Sequence, residues 1–261
     1  MVAILIASQL DSQKTLDTLY TLESFLQHSN ILLLDQAIKN KLFVKQNPEP
    51  ELPILIEKLK RLDHHNGLPF TYSTIYHARK NNLLIAFEEL NKIAKKNMYN
   101  DFYWKRFSTL LNTLQEASYP KEHLYTASVK FSHNIVFQPY KELMNLCNEQ
   151  SKSSVAWKNS CIQVGKLLEH KGTIFFANMV GFALQREALK HDIDDAAALK
   201  KVMVDREILN HWRVNALKNL DFIEAQKKGP DSYYNDLVQF GERKAVENAI
   251  KLLPKPYKGE H

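Results

Sequence analysis

Histidine and acidic side chains are the groups in this sequence that could bind a metal ion or move protons. The sequence has ten histidines, but it contains neither Glu-x-x-His, the motif of dinuclear carboxylate sites, nor His-Glu-x-x-His. The nearest patterns are Glu187 with His191 and Glu207 with His211, each pair one helical turn apart. In a helical hairpin that turns near Asp192, the two histidines lie roughly 25 Å apart. We therefore predict two solvated surface pairs and no metal site.

Nucleophile and nucleotide-binding motifs are also missing from the sequence. No serine lies in G-x-S-x-G, and neither G-x-G-x-x-G nor G-x-x-x-x-G-K-[ST] occurs. The chain has seven glycines, whereas average usage would give about 18. We predict no catalytic residues and no cofactor. The sequence favours a non-enzyme, with an active site gathered from distant helices as an alternative.

Two cysteines, Cys147 and Cys161, are the remaining reactive side chains, and no Cys-x-x-Cys spacing suggests a zinc site. They form either two buried thiols or one disulfide. We predict an antiparallel hairpin of helices 139–149 and 154–170 with both cysteines on the shared face. A disulfide there would favour an oxidising compartment such as a bacterial periplasm.

Helices must position all of these groups, because apolar residues recur at helical spacing through almost the whole sequence. In the first half the pattern predicts short helices, separated by Pro, Gly and Asn, over residues 16–26, 31–42, 52–62, 69–80, 83–94 and 103–114. Asn100 or Asp101 is predicted to cap the last of them. The second half predicts longer helices, with one continuous final helix over 233–253. Any strand would be minor and would lie at 2–7 or 129–138.

The fold class predicted from this pattern is all-α. Stacked antiparallel helical hairpins, a degenerate repeat array, occupy 1–119 and lead through an irregular connection at 120–138 to a bundle of longer helices at 139–253. A polar tail follows at 254–261. The helix at 173–184 is apolar nearly all round, so we expect it in the middle of the bundle. Its buried side chains should include Phe175, Phe176, Met179 and Phe182.

The net charge of +6 is spread along the chain rather than concentrated on one element, which argues against a nucleic-acid partner. The apolar run at residues 1–8 is too short to span a membrane, so no transmembrane segment is expected. This run is either the remainder of a leader or a first core element. Location is therefore open: periplasmic or envelope-associated if a leader is missing, otherwise cytoplasmic.

The first half resembles tetratricopeptide-type helical repeats, most clearly around Ala86, Leu90 and Ala94. The whole chain also resembles a loose group of uncharacterised bacterial envelope proteins. The residues that carry this second resemblance are Cys147, Cys161-Ile162-x-x-Gly165, Gly172, Gly181 and the run Asn100-Asp101-Phe102-Tyr103-Trp104. It implies a helical architecture and an envelope location, and it carries no activity.

A non-catalytic helical-repeat protein that binds another protein is the function that these observations favour, since helical arrays build extended binding surfaces. An envelope accessory or immunity-type factor would be a special case. The alternatives are a bundle that holds an apolar ligand near 174–184, or an enzyme. Oligomeric state is not predicted. Aromatic side chains are the natural anchors for a partner, and the candidates are Phe70, Tyr72, Tyr76, Tyr103 and Trp104.

Overall fold

The computed structural model describes residues 30–44, 50–116, 118, 137–225 and 236–251. Within these ranges the chain is all-α and contains no strand, as the sequence predicts. The first half contains α1 (Ile31–Lys39, continued by a π-helical turn at Asn40–Val44), α2 (Leu52–Leu62), α3 (Leu68–Arg79), α4 (Leu83–Ala94) and α5 (Tyr103–Glu116). The second half contains α6 (Phe137–Ser151), α7 (Val155–Lys171), α8 (Phe175–Leu189), α9 (Ala196–Ala225) and α10 (Glu242–Lys251).

Local sequence signals explain where the short helices of the first half begin and end. The Asn30 side chain accepts a hydrogen bond from the Leu32 amide at 3.0 Å and so caps α1. Prolines stand in the first turns of α2 and α3, where a missing N–H costs nothing. Asn81 adopts a left-handed φ of 59° and ends α3. These bounds agree with the predicted segments at 52–62, 69–80 and 83–94.

Helices that are neighbours in sequence pack against one another as hairpins, from α1 on α2 through α3 on α4. In the second half α7 packs on both α6 and α8, and α9 packs on α8. The two halves also share one hydrophobic core, to which Leu34, Leu59 and Leu90 contribute from one side and Leu143 and Leu168 from the other. The core is therefore continuous across the sequence boundary proposed at 120–138.

The contact between α7 and α8 depends on two glycines that let the helix backbones touch. A Cβ atom on Gly181 would lie 2.5 Å from the Gly165 carbonyl oxygen, and one on Gly165 would lie 2.7 Å from that of Gly181. At the end of α7, the Asn178 side chain donates to the Leu168 carbonyl at 2.9 Å. The closest helix pair is thus fixed by backbone approach and a polar cap.

Cys147 of α6 and Cys161 of α7 form a disulfide, with their Cα atoms 5.8 Å apart. Both residues are fully buried on the face that the two helices share. The turn between the helices is short, and Ser154 caps α7 by accepting a hydrogen bond from the Trp157 amide. The bond therefore locks the α6–α7 hairpin.

Two predictions about individual elements are wrong. Phe176 is 36% exposed, because the neighbours of α8 leave this side open, whereas Phe175 and Phe182 are buried as predicted and Met179 is half-buried. The final helix is not continuous: a helical segment at 236–240 ends at Gly241, whose φ of +83° breaks it before α10.

Other expectations lie outside the described residues. These are the first helix at 16–26, a strand at 2–7, the tail at 254–261, and the connection at 120–138 apart from its last two residues. Those two residues, Phe137 and Gln138, belong to the first turn of α6. No described helix has the length and apolarity needed to cross a membrane.

Breaking the disulfide should destabilise the protein. The two cysteines are 14 residues apart, and a crosslink over such a loop contributes roughly 3 kcal/mol in the chain-entropy model. We expect urea unfolding with a reductant to show a free energy of unfolding lower by about that amount. The double variant Cys147→Ser/Cys161→Ser should match the reduced wild type and be indifferent to reductant. The prediction would be contradicted if the free energy of unfolding of the wild type were the same with and without reductant.

Gly181→Ala should destabilise the protein although alanine is the better helix former. Propensity alone would stabilise it by about 1 kcal/mol, but the added Cβ meets backbone atoms of α7 at 2.5 Å. Overpacking of this kind typically costs about 1–3 kcal/mol, so we expect a net loss in chemical denaturation. Gln163→Ala, at an exposed position of α7, is the control and should change stability little. A more stable Gly181→Ala protein would show that the helices separate easily.

Candidate ligand-binding cleft

A non-helical crossing segment, residues 97–102, runs between the two halves of the molecule. On one side the Met98 carbonyl accepts a hydrogen bond from the Gly67 amide at 3.0 Å. On the other side the Tyr99 amide donates to the Lys171 carbonyl at 3.1 Å. The segment therefore bridges the turn before α3 and the end of α7 through main-chain hydrogen bonds, without a sheet.

The next link in this ladder is Thr173, in the turn between α7 and α8. Its amide donates to the Tyr99 carbonyl at 3.1 Å, and its own carbonyl accepts from the Glu242 amide at 2.8 Å. The Glu242 carboxylate in turn accepts a hydrogen bond from the Phe175 amide at 2.7 Å. Residue 241, which precedes Glu242, must be a glycine, since a Cβ atom there would lie 2.6 Å from the Thr173 carbonyl oxygen. These contacts attach the start of α10 to the crossing segment.

Side-chain hydrogen bonds fix the end of the crossing segment where α5 begins. Asn66, which is fully buried, donates to the Asn100 carbonyl at 2.7 Å and accepts from its amide at 2.9 Å. The Asn100 side chain accepts from the Phe102 amide at 2.8 Å, and that of Asp101 accepts from the Tyr103 amide at 3.1 Å. Both capping candidates named from the sequence thus act at the start of α5.

A cleft of about 560 Å³ opens over this ladder. Its walls are the crossing segment, the first turn of α5, the end of α7 and residues 237–247. The apolar side chains that line it are Met98, Trp104, Leu237, Val238 and Phe240. Cationic side chains stand among them: Lys105, Lys171, Arg243 and Lys244. We call these four residues the cleft cations.

The cleft cations outnumber the acids around them. Glu247 is the one acidic side chain among the described lining residues, and it lies 3.5 Å from Arg243 and 3.4 Å from Lys244. Within the described part of the chain, the ammonium groups of Lys105 and Lys171 have no ion-pair partner. The cleft therefore carries a local excess of positive charge.

Three of the cleft cations also stand where helix dipoles are positive. Lys105 lies in the first turn of α5, and Arg243 and Lys244 lie in the first turn of α10. The start of a helix favours acidic side chains and disfavours cations. The first turn of α10 also contains Glu242, whose side chain accepts from the Phe175 amide, so the positive excess at that helix end is smaller than the two cations alone would give.

Behind the crossing segment lies a buried charge cluster centred on Asp35 of α1. Asp35 accepts a hydrogen bond from the Tyr72 hydroxyl at 2.5 Å, pairs with Lys39 at 3.1 Å, and pairs with Arg106 of α5. All four residues are buried. Burial acts to raise the pKa of Asp35, but the attraction of Lys39 and Arg106 outweighs it and holds this pKa below its ordinary value. Burial, and then the charge of Arg106, lower the pKa of Lys39 to about 8.

The crossing segment contributes two side chains to the same polar interior. Asp101 accepts a hydrogen bond from the Tyr140 hydroxyl at 2.9 Å, and Tyr99 donates to the Thr71 hydroxyl at 3.1 Å. Burial is the main cause that raises the pKa of Asp101, Tyr99 and Tyr140. Two guanidinium nitrogens of Arg106, Nε and Nη1, are buried without a hydrogen-bond acceptor among the described residues.

Of the five aromatic residues named as candidate partner contacts, three are buried in the core: Phe70, Tyr72 and Tyr103. Phe70 is covered by the Lys96 ammonium group at 3.8 Å from its ring centre, and Tyr72 is bonded to Asp35. Tyr76 is half-buried, whereas Trp104 lines the cleft.

The histidine–carboxylate pairs of the sequence do not come together. Glu187 is paired with Arg186 and Lys190 instead, and His191 contacts the Asn148 side chain at 2.9 Å. Glu207 and His211 are exposed on α9. In the ranges that the structure describes, no three His, Cys, Asp or Glu side chains are grouped as metal ligands would be.

Sequence reasoning missed both the cleft cations and the buried charge cluster. One signal for the cluster is present: Asp35 and Lys39 are one turn apart in Ile31–Lys39, an otherwise largely apolar helix. The cleft leaves no such signal, because its lining residues come from three distant parts of the chain.

Comparison with protein-family models, with curated proteins and with solved structures finds no match to this chain. The cleft is therefore interpreted from its own chemistry.

The buried tyrosines should make the protein lose stability above pH 10. Burial raises the pKa of Tyr72, Tyr99 and Tyr140 in the folded state, so the unfolded chain releases their protons first. The free energy of unfolding should then fall by up to about 1.4 kcal/mol per pH unit for each tyrosine. Lys39, with its lowered pKa of about 8, acts in the opposite direction between about pH 8 and 10.5.

Denaturant titrations from pH 7 to 11.5 would measure this profile, and Tyr99→Phe is the informative variant. Its hydroxyl donates to Thr71, which itself donates to the Gly67 carbonyl, so the phenylalanine leaves no donor without an acceptor. The fall above pH 10 should become less steep by about 1.4 kcal/mol per pH unit. An unchanged slope would mean that Tyr99 ionises in the folded protein.

Proposed function

We propose that this chain is a helical binding protein that recognises another protein through the cleft, without chemical turnover. The observation that carries the proposal is the mixed lining of the cleft, in which five apolar side chains stand among four cations. Such a combination lets apolar contacts supply affinity and charged groups supply specificity.

The rim of the cleft supports a macromolecular partner. Val238 is 40% exposed and Phe240 is 49% exposed, so apolar surface continues outward from the cleft. A partner segment that fills the cleft can extend over these side chains, whereas a small ligand inside it would leave them in water. Trp104, the one predicted anchor that lines the cleft, offers the aromatic surface on which interface affinity often depends.

The repeat character and the location of the protein are parts of the same proposal. The successive packing of α1 to α4 as hairpins supports a degenerate array of the tetratricopeptide type. The Cys147–Cys161 disulfide supports an oxidising compartment such as a bacterial periplasm. An envelope accessory or immunity-type factor would combine these features.

Blocking the cleft should abolish peptide recognition. We expect a phage-displayed library of random dodecapeptides, panned on the wild-type protein, to yield peptides that bind through the cleft. Gln239→Trp adds bulk at an exposed residue of the cleft wall and should weaken their binding at least tenfold in biolayer interferometry. Gln163→Trp adds the same bulk at an exposed position of α7 outside the cleft and should leave their binding within about twofold.

The proposal fails if the library yields no binders, or if the selected peptides bind the two tryptophan variants equally well. Circular dichroism melting of both variants would establish that each one is folded under the binding conditions.

A further inference from the structure

We infer that the partner segment is acidic: a run of Asp and Glu residues that carries an apolar side chain to seat against Trp104. This inference rests on the proposed function and names the chemistry that the cleft would recognise. Its starting point is the positive excess in the cleft, where Lys105, Lys171, Arg243 and Lys244 face the single carboxylate of Glu247.

The placement of these cations on the helices strengthens the argument. Lys105 lies at the positive end of α5 and has no ion-pair partner among the described residues, whereas Lys244, at the start of α10, shares Glu247 with Arg243. A carboxylate in the cleft would therefore give Lys105 the counter-ion that it lacks and would lie near the positive end of α5.

The apolar lining separates an acidic polypeptide from a simple anion. Met98, Trp104 and Leu237 offer no hydrogen bond to a phosphate or sulfate beyond the Trp104 indole N–H, which is buried and has no acceptor among the described residues. An aromatic or aliphatic side chain of a peptide would cover these groups while neighbouring carboxylates reach the cations. Both properties of the lining are used only if the ligand is both acidic and apolar.

The probe for this inference is a random copolymer of glutamate and tyrosine in a 4:1 ratio. We expect this copolymer to bind the immobilised full chain. Poly-glutamate, which lacks the aromatic side chain, should bind at least fivefold more weakly, and a lysine–tyrosine copolymer, which has the opposite charge, should not bind. Raising sodium chloride from 50 to 500 mM should weaken the binding at least tenfold, because exposed charges are screened.

Charge reversal supplies the matched variants. Lys105→Glu/Lys244→Glu should weaken binding of the glutamate–tyrosine copolymer at least tenfold. Lys80→Glu/Lys95→Glu changes the net charge of +6 by the same four units, but it does so at exposed lysines outside the cleft. This control should bind within about twofold of the wild type, which separates the cleft from the overall charge of the protein.

Several results would overturn the inference. An equal loss of copolymer binding in both double variants would show that the copolymer is attracted by the net charge of the protein alone. Binding of inorganic phosphate with competition for the cleft would indicate a small anion, and stronger binding to vesicles of 4:1 phosphatidylcholine and phosphatidylglycerol would indicate a lipid surface. A third result would separate the two proposals. If the library yields neutral peptides whose binding is lost in Gln239→Trp but kept in Lys105→Glu/Lys244→Glu, the proposed function is supported and the acidic partner is excluded. If no peptide depends on Gln239, the proposed function itself falls.

Discussion

The constraint on which this structure depends is that a non-helical stretch of backbone, residues 97–102, runs between the two halves of a helical protein and is buried at Tyr99 and from Asp101 onward. Buried amides and carbonyls must find partners, and here they find them in the turn before α3 and in the turn after α7. Thr173 carries the chain of hydrogen bonds onward to Glu242. These hydrogen bonds therefore fix the positions of the two helical halves and of the start of α10 relative to one another. The cleft is the space that remains between their helix ends.

Helices could be predicted from the sequence because their signals are local. Proline in the first turns of α2 and α3, the Asn30 cap and the apolar stripes each act within one or two turns. Burial of a particular side chain was harder to predict, because it depends on how many helices surround an element. Phe176 lies on a helix that is apolar nearly all round and is still exposed. The break at Gly241 has one local signal, the glycine itself, because glycine with a positive φ often ends a helix. Its close contact with Thr173, which is 68 residues earlier in the chain, leaves no local pattern.

The candidate site was out of reach of sequence reasoning for a related physical reason. A cleft between helix ends draws its lining from short stretches with no shared periodicity, here near Trp104, Gly172 and Gly241. The buried charge cluster is different, since Asp35 and Lys39 interrupt an apolar helix and could have been noticed. Arg106, which pairs with Asp35, is 71 residues away from it in the sequence. The Asp35–Arg106 ion pair therefore cannot be predicted from the sequence. Removing one member of such a cluster leaves a buried charge without its counter-ion, which is strongly destabilising.

The proposed recognition and the stability of the fold would make different demands on the charges of this molecule, and these charges lie in two separate places. Inside, Asp35 lies against Lys39 and Arg106 and Asp101 accepts from Tyr140, so acids and their partners are matched. At the cleft, Lys105 occupies the first turn of α5 without an ion-pair partner among the described residues, whereas the first turn of α10 combines Glu242 with Arg243 and Lys244. The hydrogen-bonded ladder holds these two helix ends in place, through Asn66 at the start of α5 and through Thr173 at the start of α10. In the proposed function, a ligand of opposite charge would supply the counter-ions that Lys105 and Lys171 lack among the described residues.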